Sequence, residues 1–231
     1  MAAAPPDPIR PADPLSVAAT GGHPLMPGNP TLAHYEEYAA RYDASFADHD
    51  TSDAISRLLM ALTQPAPTVL ELGCGNGRDL LALQQAGAVA EGVEGTVAMA
   101  DIAAQRTGLP IHSFDLLSPR NPPWQGRRFQ ALYAHHVLFH IPSPALPFLL
   151  WRGRDWLVPE GLFYFCDATG DGLEGTMPDG RHVALRRPQT LHRLMREAGF
   201  ALVEEWRRPL GAPRRQQGWL AGIWQKTMEA A

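Results

Sequence analysis

The sequence feature that constrains the fold most is a short apolar run followed at once by a glycine-rich turn. Residues 68–72 are β-branched or apolar apart from one carboxylate, which predicts a buried strand. Residues 73–77 hold three glycines, and a helical pattern follows over 79–85. Glycine permits a tight turn and close approach of a ligand to the backbone, and a helix N-terminus offers free N–H groups. A strand, a ligand-binding turn and a helix are therefore predicted in succession.

The same alternation of strand and helix continues along the chain. Two helices are predicted before the first strand, one from Thr31 and one beginning at Thr51 or Ser52. Further strands are predicted at 88–93, 110–114, 129–134 and 162–166, and helices at about 95–106, 144–156 and 188–198. Alternating strands and helices indicate βαβ units and a parallel sheet. The last two strand patterns, 201–206 and 218–224, are too close for a crossover helix, so we expect them to pair antiparallel.

Composition narrows the class of protein. The 231 residues are 45% hydrophobic, carry a formal charge of −4 and include two cysteines. Such a chain can bury a core, does not hold nucleic acid by bulk charge and cannot form a disulfide framework. No apolar run approaches the roughly 18 residues that span a bilayer, and no signal peptide pattern is present. We expect a cytoplasmic protein with no nucleic-acid or membrane partner.

The first thirty residues differ in composition from the rest of the chain. They are rich in proline and glycine and lack apolar periodicity. We predict a disordered tail at 1–30 and one domain at 31–231.

The glycine turn has a spacing that distinguishes between ligands. Gly73 and Gly75 are followed by Arg78 where a dinucleotide-binding turn has its third glycine. Glu71 stands near the end of the preceding strand, and a carboxylate there suits a ligand with an ammonium group better than a pyrophosphate.

Two further carboxylates are predicted at strand ends. Glu94 follows the second strand and can accept hydrogen bonds from both ribose hydroxyls of an adenosine. Asp115 follows the third strand and can meet an adenine amino group. Acids at the ends of three successive strands can frame one nucleoside with an amino-acid tail.

At these residues the chain resembles the class I S-adenosylmethionine-dependent methyltransferases of the small-molecule type. The resemblance covers about 31–226, and its motifs are 69–79, 92–94, Asp115, 134–142 and an upstream element at Tyr35, Ala39 and Tyr42. It implies a Rossmann-like α/β fold: a seven-stranded, mostly parallel sheet with an antiparallel last strand and helices on both faces. His135 departs from the pattern, since relatives often carry Asn, Ser or Cys there.

The resemblance also implies a cofactor and a set of site residues. The cofactor is S-adenosyl-L-methionine, and its predicted contacts are Tyr38, Glu71, Gly73, Gly75, Asn76, Arg78, Glu94, Gly95, Asp115, Leu116 and Ala134. Predicted acceptor contacts are Tyr35, His140 and Arg181, and the candidate catalytic residues are His135 and His136.

Both candidate catalytic histidines follow the fourth strand. Successive strand residues point to opposite faces, so we expect at most one to face the acceptor and the other to pack under the next helix. We favour His135, which could act as a base or orient the acceptor. His136 and His140 are four residues apart, but no carboxylate or cysteine accompanies them, so no metal is predicted.

Two other motifs are interpreted conservatively. The segment 121–124 reads Asn-Pro-Pro-Trp, a motif of nucleic-acid and protein methyltransferases, but it precedes the fourth strand and is interpreted as a turn. The glycine-rich segment 170–180 is expected to be a mobile cover over the site. The arginine-rich stretch 181–215 is either a solvated basic face or a site for an anionic group of the acceptor.

These observations predict methyl transfer to an N, O or S atom of a small-molecule acceptor. An amino-acid-derived imidazole or thiol is compatible with the site. The alternatives are an RNA or protein methyltransferase, for which no stacking platform is evident, and a cofactor-binding regulator without turnover. A monomer or homodimer is expected.

Overall fold

The structure, a computed structural model, describes residues 28–46, 49–212 and 217–228. Almost all of the predicted tail at 1–30 lies outside these ranges. The helices are α1 (Pro30–Phe46), α2 (Ser52–Ala61), α3 (Arg78–Gln85), α4 (Val97–Thr107), α5 (Leu146–Trp156) and α6 (Pro188–Glu197). The strands are β1 (Thr68–Leu72), β2 (Val89–Glu94), β3 (Ile111–Ser113), β4 (Phe129–His135), β5 (Leu157–Ala168), β6 (Leu173–Thr176), β7 (His182–Leu185), β8 (Phe200–Arg208) and β9 (Trp219–Lys226).

Seven of the strands form one mixed sheet in the order β3-β2-β1-β4-β5-β9-β8. The pairs among β1 to β5 are parallel, whereas β9 runs antiparallel to both β5 and β8. The predicted fold, with its reversed last strand, is therefore confirmed. Strand order changes direction between β1 and β4, and ligands of such sheets bind beyond the carboxyl ends of the strands at that point.

Side chains alternate between two cores, one on each face of the sheet. Along β4, Leu132 and Ala134 join a cluster with residues of α5 and α6, whereas Tyr133 joins a cluster with residues of α2 and α3. The helices therefore cover both faces. Trp124, from the Asn-Pro-Pro-Trp segment, is fully buried in the first cluster, and its segment forms turns just before β4.

The glycine-rich segment at 170–180 is not the mobile loop that the sequence suggested. It forms most of a β6–β7 hairpin, in which Glu174 pairs with Ala184 and Gly175 with Val183. The sequence did not predict β6 and β7, because the glycines around their short alternating patterns favour a loop by composition. The hairpin packs on α1, where the N–H of His182 donates to Thr31 Oγ1 at 2.9 Å.

Helix α1 is bent at Tyr38, whose backbone angles (φ −108°, ψ 19°) are not helical. The Glu36 carboxylate accepts hydrogen bonds from the N–H groups of Val97 and Ala98, at the N-terminus of α4. Helix α1 is thereby held over the carboxyl ends of the parallel strands. No helix in the described part of the chain has the length and apolar character needed to cross a membrane.

Candidate active site

A cavity of about 200 Å³ lies beyond the carboxyl ends of β1, β2 and β4, beneath α1. Most of the predicted site residues line it: Tyr35, Glu71, Gly73, Gly75, Asn76, Arg78, Glu94, Gly95, Asp115, Leu116, His135, His136 and His140. One half of the cavity is built from the turns after β1, β2 and β3. The other half is built from β4, the turn after it and α1.

The glycine turn after β1 needs glycine for two different reasons. Gly73 and Gly75 have φ values of +64° and +54°, the left-handed region that other L-residues avoid. A Cβ on Gly73 would also lie 2.9 Å from Val137 Cγ2. The backbone of this turn is thus open to the cavity and can touch a ligand directly.

Glu94 ends β2 and is fixed by backbone donors. One carboxylate oxygen accepts from the N–H of Gly75 at 3.0 Å, and the other accepts from the N–H and the hydroxyl of Thr96, each at 3.0 Å. The side chain is 7% exposed, and burial raises its pKa despite these donors. Since each oxygen has two lone pairs, this oriented carboxylate can still accept hydroxyl donors from the cavity.

Glu71 presents an unused carboxylate oxygen to the cavity. The residue is 3% exposed, and its Oε2 atom has no hydrogen-bond partner in the described part of the chain. Burial and the nearby Asp79 carboxylate raise its pKa well above the usual range. A buried oxygen of this kind fits a cationic ligand group, which would favour its ionised form.

Next to these acids lies a mostly apolar slot. Phe114, Leu116 and Met99 line it together with Asp115, whose Oδ1 atom accepts from the N–H of Leu117 at 2.9 Å. A flat ring with a polar edge would be accommodated there.

Asn76 and Arg78 line the cavity, but their side chains are engaged with the protein. Asn76 donates to Asp43 of α1 at 3.1 Å, and Arg78 Nε donates to Asp79 at 2.6 Å. These bonds fix the turn between β1 and α3, so both residues shape the cavity from within the wall.

Three predicted site residues do not line the cavity. Tyr38 is 38% exposed, because the bend in α1 turns it toward solvent. The Ala134 side chain packs in the core beneath α5, because it alternates with its neighbours along β4. Arg181 is buried behind Tyr35 and reaches the cavity only through that residue.

A directed chain of hydrogen bonds joins the hairpin to the wall of the cavity. Arg181 donates to the Tyr35 hydroxyl at 3.1 Å, and this hydroxyl lies 3.0 Å from His140 Nε2. His140 Nδ1 lies 2.6 Å from the carbonyl oxygen of His182. Since a carbonyl only accepts, Nδ1 carries the proton and Nε2 accepts from Tyr35. Burial lowers the pKa of His140 to about 3, so it is neutral at physiological pH.

His135 has both ring nitrogens in use. Arg208 donates to Nε2 at 3.0 Å, so the ring proton is on Nδ1 and is donated to the Tyr164 hydroxyl at 3.0 Å. Burial and the Arg208 charge lower the pKa of His135 well below its usual range. This histidine could take a proton only by giving up its bond to Arg208.

His136 does not follow the alternation expected after a strand. Its φ is +61°, and this left-handed residue turns its ring back toward the cavity. Both histidines therefore line the cavity, and His136 does not pack under the next helix as expected. Which of the two faces the acceptor stays a prediction. The ring stacks on Trp219, with 3.9 Å between centroids, and its nitrogens have no hydrogen-bond partner in the described part of the chain. The geometry favours His136 over His135 as the group with a lone pair to offer.

Residues 40–205 match the model of a protein family described as a methyltransferase domain. The match spans 166 of the 231 residues (205 − 40 + 1). The chain belongs to this family. This methyltransferase is of the class I, S-adenosylmethionine-dependent type that its sequence resembles. No curated protein matches it.

Solved structures similar to this methyltransferase have the same fold. One is a complex between the Haloferax volcanii Trm112 methyltransferase activator and the putative methyltransferase, with 17% identity and a TM-score of 0.71, covering 87% of this chain and 99% of that one. Another is the Burkholderia thailandensis 1,6-didemethyltoxoflavin-N1-methyltransferase with bound S-adenosylhomocysteine. It has 22% identity and a TM-score of 0.65, and the match covers 91% of this chain and 95% of that one. A third is the Synechocystis magnesium protoporphyrin IX methyltransferase. It has 14% identity and a TM-score of 0.66, and the match covers 85% of this chain and 97% of that one.

Some residues at the site of this methyltransferase were missed from the sequence. Thr31 and Leu32 of α1 line the cavity because the helix folds over it, and Tyr42, which the sequence placed in the upstream motif but not among the site residues, lines it too. His49 lies behind the cavity wall, and one ring nitrogen from each of His49, His135 and His136 lies within 4.8 Å of the others. No local pattern marks His49, because the contact joins distant parts of the chain.

Proposed function

We propose that this methyltransferase transfers a methyl group from S-adenosylmethionine to an N, O or S atom of a small-molecule acceptor. The observation that carries the proposal is the enclosure of the acceptor half of the cavity. Tyr35 of α1 and His140 after β4 close it from opposite sides and are hydrogen-bonded to each other. A small molecule fits beneath this closure, whereas a polymer chain would have to displace it.

The first half of the cavity fits the cofactor. Glu71, with its unused buried oxygen, would meet the ammonium group, and the open backbone of Gly73 and Gly75 would lie along the methionine. Glu94 would accept the ribose hydroxyls, and Asp115 would meet the adenine edge. S-adenosylmethionine supplies a methyl group on a positively charged sulfur, which a nucleophile displaces directly.

The protein's own contribution is to position the acceptor and exclude water. Direct displacement needs a collinear approach, and an enclosed wall that fixes the acceptor can supply much of the acceleration. His136 is the candidate proton acceptor when the reacting atom carries a proton. His135, fixed by Arg208, packs against the His136 ring at 4.2 Å between centroids and limits its movement.

The similar solved structures support small molecules as acceptors without identifying one. Two of them are a 1,6-didemethyltoxoflavin-N1-methyltransferase and a magnesium protoporphyrin IX methyltransferase. An amino-acid-derived imidazole or thiol remains compatible with the site. We expect a monomer or homodimer. The Haloferax volcanii structure contains an activator protein, so binding of a second protein is also to be tested.

The decisive experiment incubates the purified protein with methyl-labelled S-adenosylmethionine and a metabolite extract separated from macromolecules. The expected result is label in a small molecule, formed by the parent and not by a Glu94→Ala variant. Label in RNA or protein from a parallel macromolecular fraction would contradict the proposal. Tight cofactor binding with no transfer to either fraction would instead favour a regulator.

A further inference from the structure

We propose that His49 is a positioning residue that shares the proton taken up by His136, and that the acceptor is therefore a molecule whose reacting atom carries a proton. Phenols, thiols and acidic ring N–H groups form this class. The inference deepens the function proposed above and rests on it.

The first observation is the placement of His49. It comes just before α2, far in the sequence from β4, yet its ring centroid lies 5.4 Å from that of His136 and 5.8 Å from that of His135. Its Nε2 atom is buried and has no hydrogen-bond partner in the described part of the chain. A buried polar atom without a partner destabilises the fold. Its presence here points to a partner gained at another step of the reaction.

The second observation is the difference between the two histidines of the cavity wall. The Nε2 lone pair of His135 is occupied by an Arg208 donor, which leaves His136 and His49 as the members of the cluster with free lone pairs. The same occupancy argues against a metal ion held by all three rings, because a metal would need the lone pair that Arg208 uses.

Protonated His136 would be stabilised on two sides. Its ring lies against Trp219, with 3.9 Å between centroids and a tilt of 33°, and an aromatic face attracts an imidazolium. A small rotation of either ring, or a bridging water, brings a His136 N–H within reach of the free His49 nitrogen, since the nitrogens of the cluster lie within 4.8 Å.

Both arginines near this pair are matched by a carboxylate. From α3 come Arg78 and Asp79, joined at 2.6 Å. From β8 comes Arg208, paired with Asp53 at 2.8 Å, and Asp50 beside His49 accepts the N–H of Ser52 at 2.9 Å. Burial lowers the pKa of His49, and the Arg78 and Arg208 charges add to the effect. Burial also lowers the pKa of His136, and the neighbouring His135 and His49 rings, when charged, lower it further.

This balance disfavours a cationic acceptor. The carboxylate beside the pair that has no ion pair, Asp50, is exposed to solvent, so an ammonium group buried against the two histidines would be desolvated with only a screened counter-charge. A neutral acceptor that loses its proton during the reaction meets two neutral imidazoles that can receive it.

The proposed step balances in atoms and charge. The proton of the acceptor's X–H bond moves to His136 as the lone pair of X forms a bond to the methyl carbon. The methyl–sulfur bond breaks, and its electron pair remains on sulfur. The proton, shared with His49, later leaves to solvent.

The first test measures proton affinity without an acceptor. Nuclear magnetic resonance of ¹⁵N-histidine-labelled protein, saturated with S-adenosylhomocysteine, gives the pKa of His136 in the parent and in His49→Asn. We expect about a tenfold lower proton affinity in the variant, because the shared site is lost. His192→Asn, at a surface histidine bonded to Glu205, is the matched control and should leave His136 unchanged.

An unchanged or higher pKa of His136 in His49→Asn would overturn the shared proton. S-adenosylhomocysteine affinity and melting temperature check that the variant is folded, and His49→Gln is the second variant if His49→Asn is not. A metal site would replace the shared proton if three results are found together. Zinc copurifies with the parent, it is absent from His49→Asn, and adding it back after chelation restores turnover.

The second test uses the acceptor found by the labelling experiment. If that acceptor carries an ionisable proton, kcat in His49→Asn should fall about tenfold at neutral pH and recover as pH rises, with KM little changed. A tertiary amine or thioether acceptor, or an unaltered pH profile, would overturn the inference while leaving methyl transfer itself established. Absence of any small-molecule product would instead refute the proposed function.

Discussion

At the scale of single residues, the identity of each hydrogen-bond donor decides what a histidine can do. Arg208 can only donate, so it fixes the tautomer of His135, and the His182 carbonyl can only accept, so it fixes the tautomer of His140. Neither residue then has a free lone pair for the acceptor. His136, without such a partner, keeps one.

Replacing His136 and His135 one at a time should separate the roles of these two cavity histidines. His136→Asn should lower turnover about 10²-fold with an acceptor that must lose a proton, because the base is removed. His135→Asn should have a smaller effect on turnover, acting through the orientation of its neighbour. Steady-state kinetics with the identified acceptor check this, and a larger loss in His135→Asn would return the catalytic role to that residue.

Glu94 should be the strongest single determinant of cofactor affinity. Its replacement by Ala would remove the charge-assisted hydrogen bonds that we propose it makes to the ribose, worth about 1.5–3 kcal/mol each, and would also free the N–H of Gly75. Calorimetry should show S-adenosylmethionine binding weakened about tenfold or more. Glu94→Gln, which keeps the shape, should lose less, and an unchanged affinity in a folded Glu94→Ala protein would contradict the ribose assignment.

The neutral state of His140 gives the fold a dependence on acid. An unfolded histidine takes up a proton at about pH 6.5, whereas the folded His140 does so only at about pH 3. Between these values the unfolded chain binds more protons, so stability falls as pH drops through this window. His140→Gln, which can keep both hydrogen bonds, should lose less melting temperature between pH 7 and pH 4.5 than the parent. Equal losses would show that other groups set the acid limit.

At the scale of elements, α1 and the β6–β7 hairpin act as one unit above the sheet. The Arg181 guanidinium lies over the rings of Tyr35 and Tyr42, at 5.6 and 5.5 Å, and pairs with Asp179 at 2.7 Å. One residue from the hairpin thus organises two aromatic residues of the helix.

Removing that residue should loosen the unit. Arg181→Ala leaves Asp179 Oδ2 and the Tyr35 hydroxyl without their side-chain donor, so we expect a several-fold higher KM for the acceptor and faster amide exchange in β6 and β7. Cofactor affinity should change little, because Glu71 and Glu94 are untouched. Exchange rates equal to the parent, with both constants unchanged, would show that the aromatic packing alone holds the unit.

At the scale of the whole molecule, the sequence predicted those features of the fold and site that are set by residues close together in the chain. The order of strands and helices, the glycine turn and the acids Glu71, Glu94 and Asp115 follow from local patterns, because parallel strands bring their carboxyl ends to one edge. Tyr35, His135, His136 and His140 were also predicted and line the cavity, but the bonds that hold this wall were not, because they join distant parts of the chain. His135 meets Arg208, and Tyr35 meets both His140 and Arg181, across long stretches of sequence.

Helix α1 covers both halves of the cavity, so its movement bears on the entry and release of both substrates. Leu32 packs directly on Gly95, beside the cofactor half, while Tyr35, one turn further along, closes the acceptor half. A ligand in either half would therefore lie beneath the same helix. If both substrates bind as proposed, the methylated product and the spent cofactor leave past α1, and the motion of this helix affects both departures.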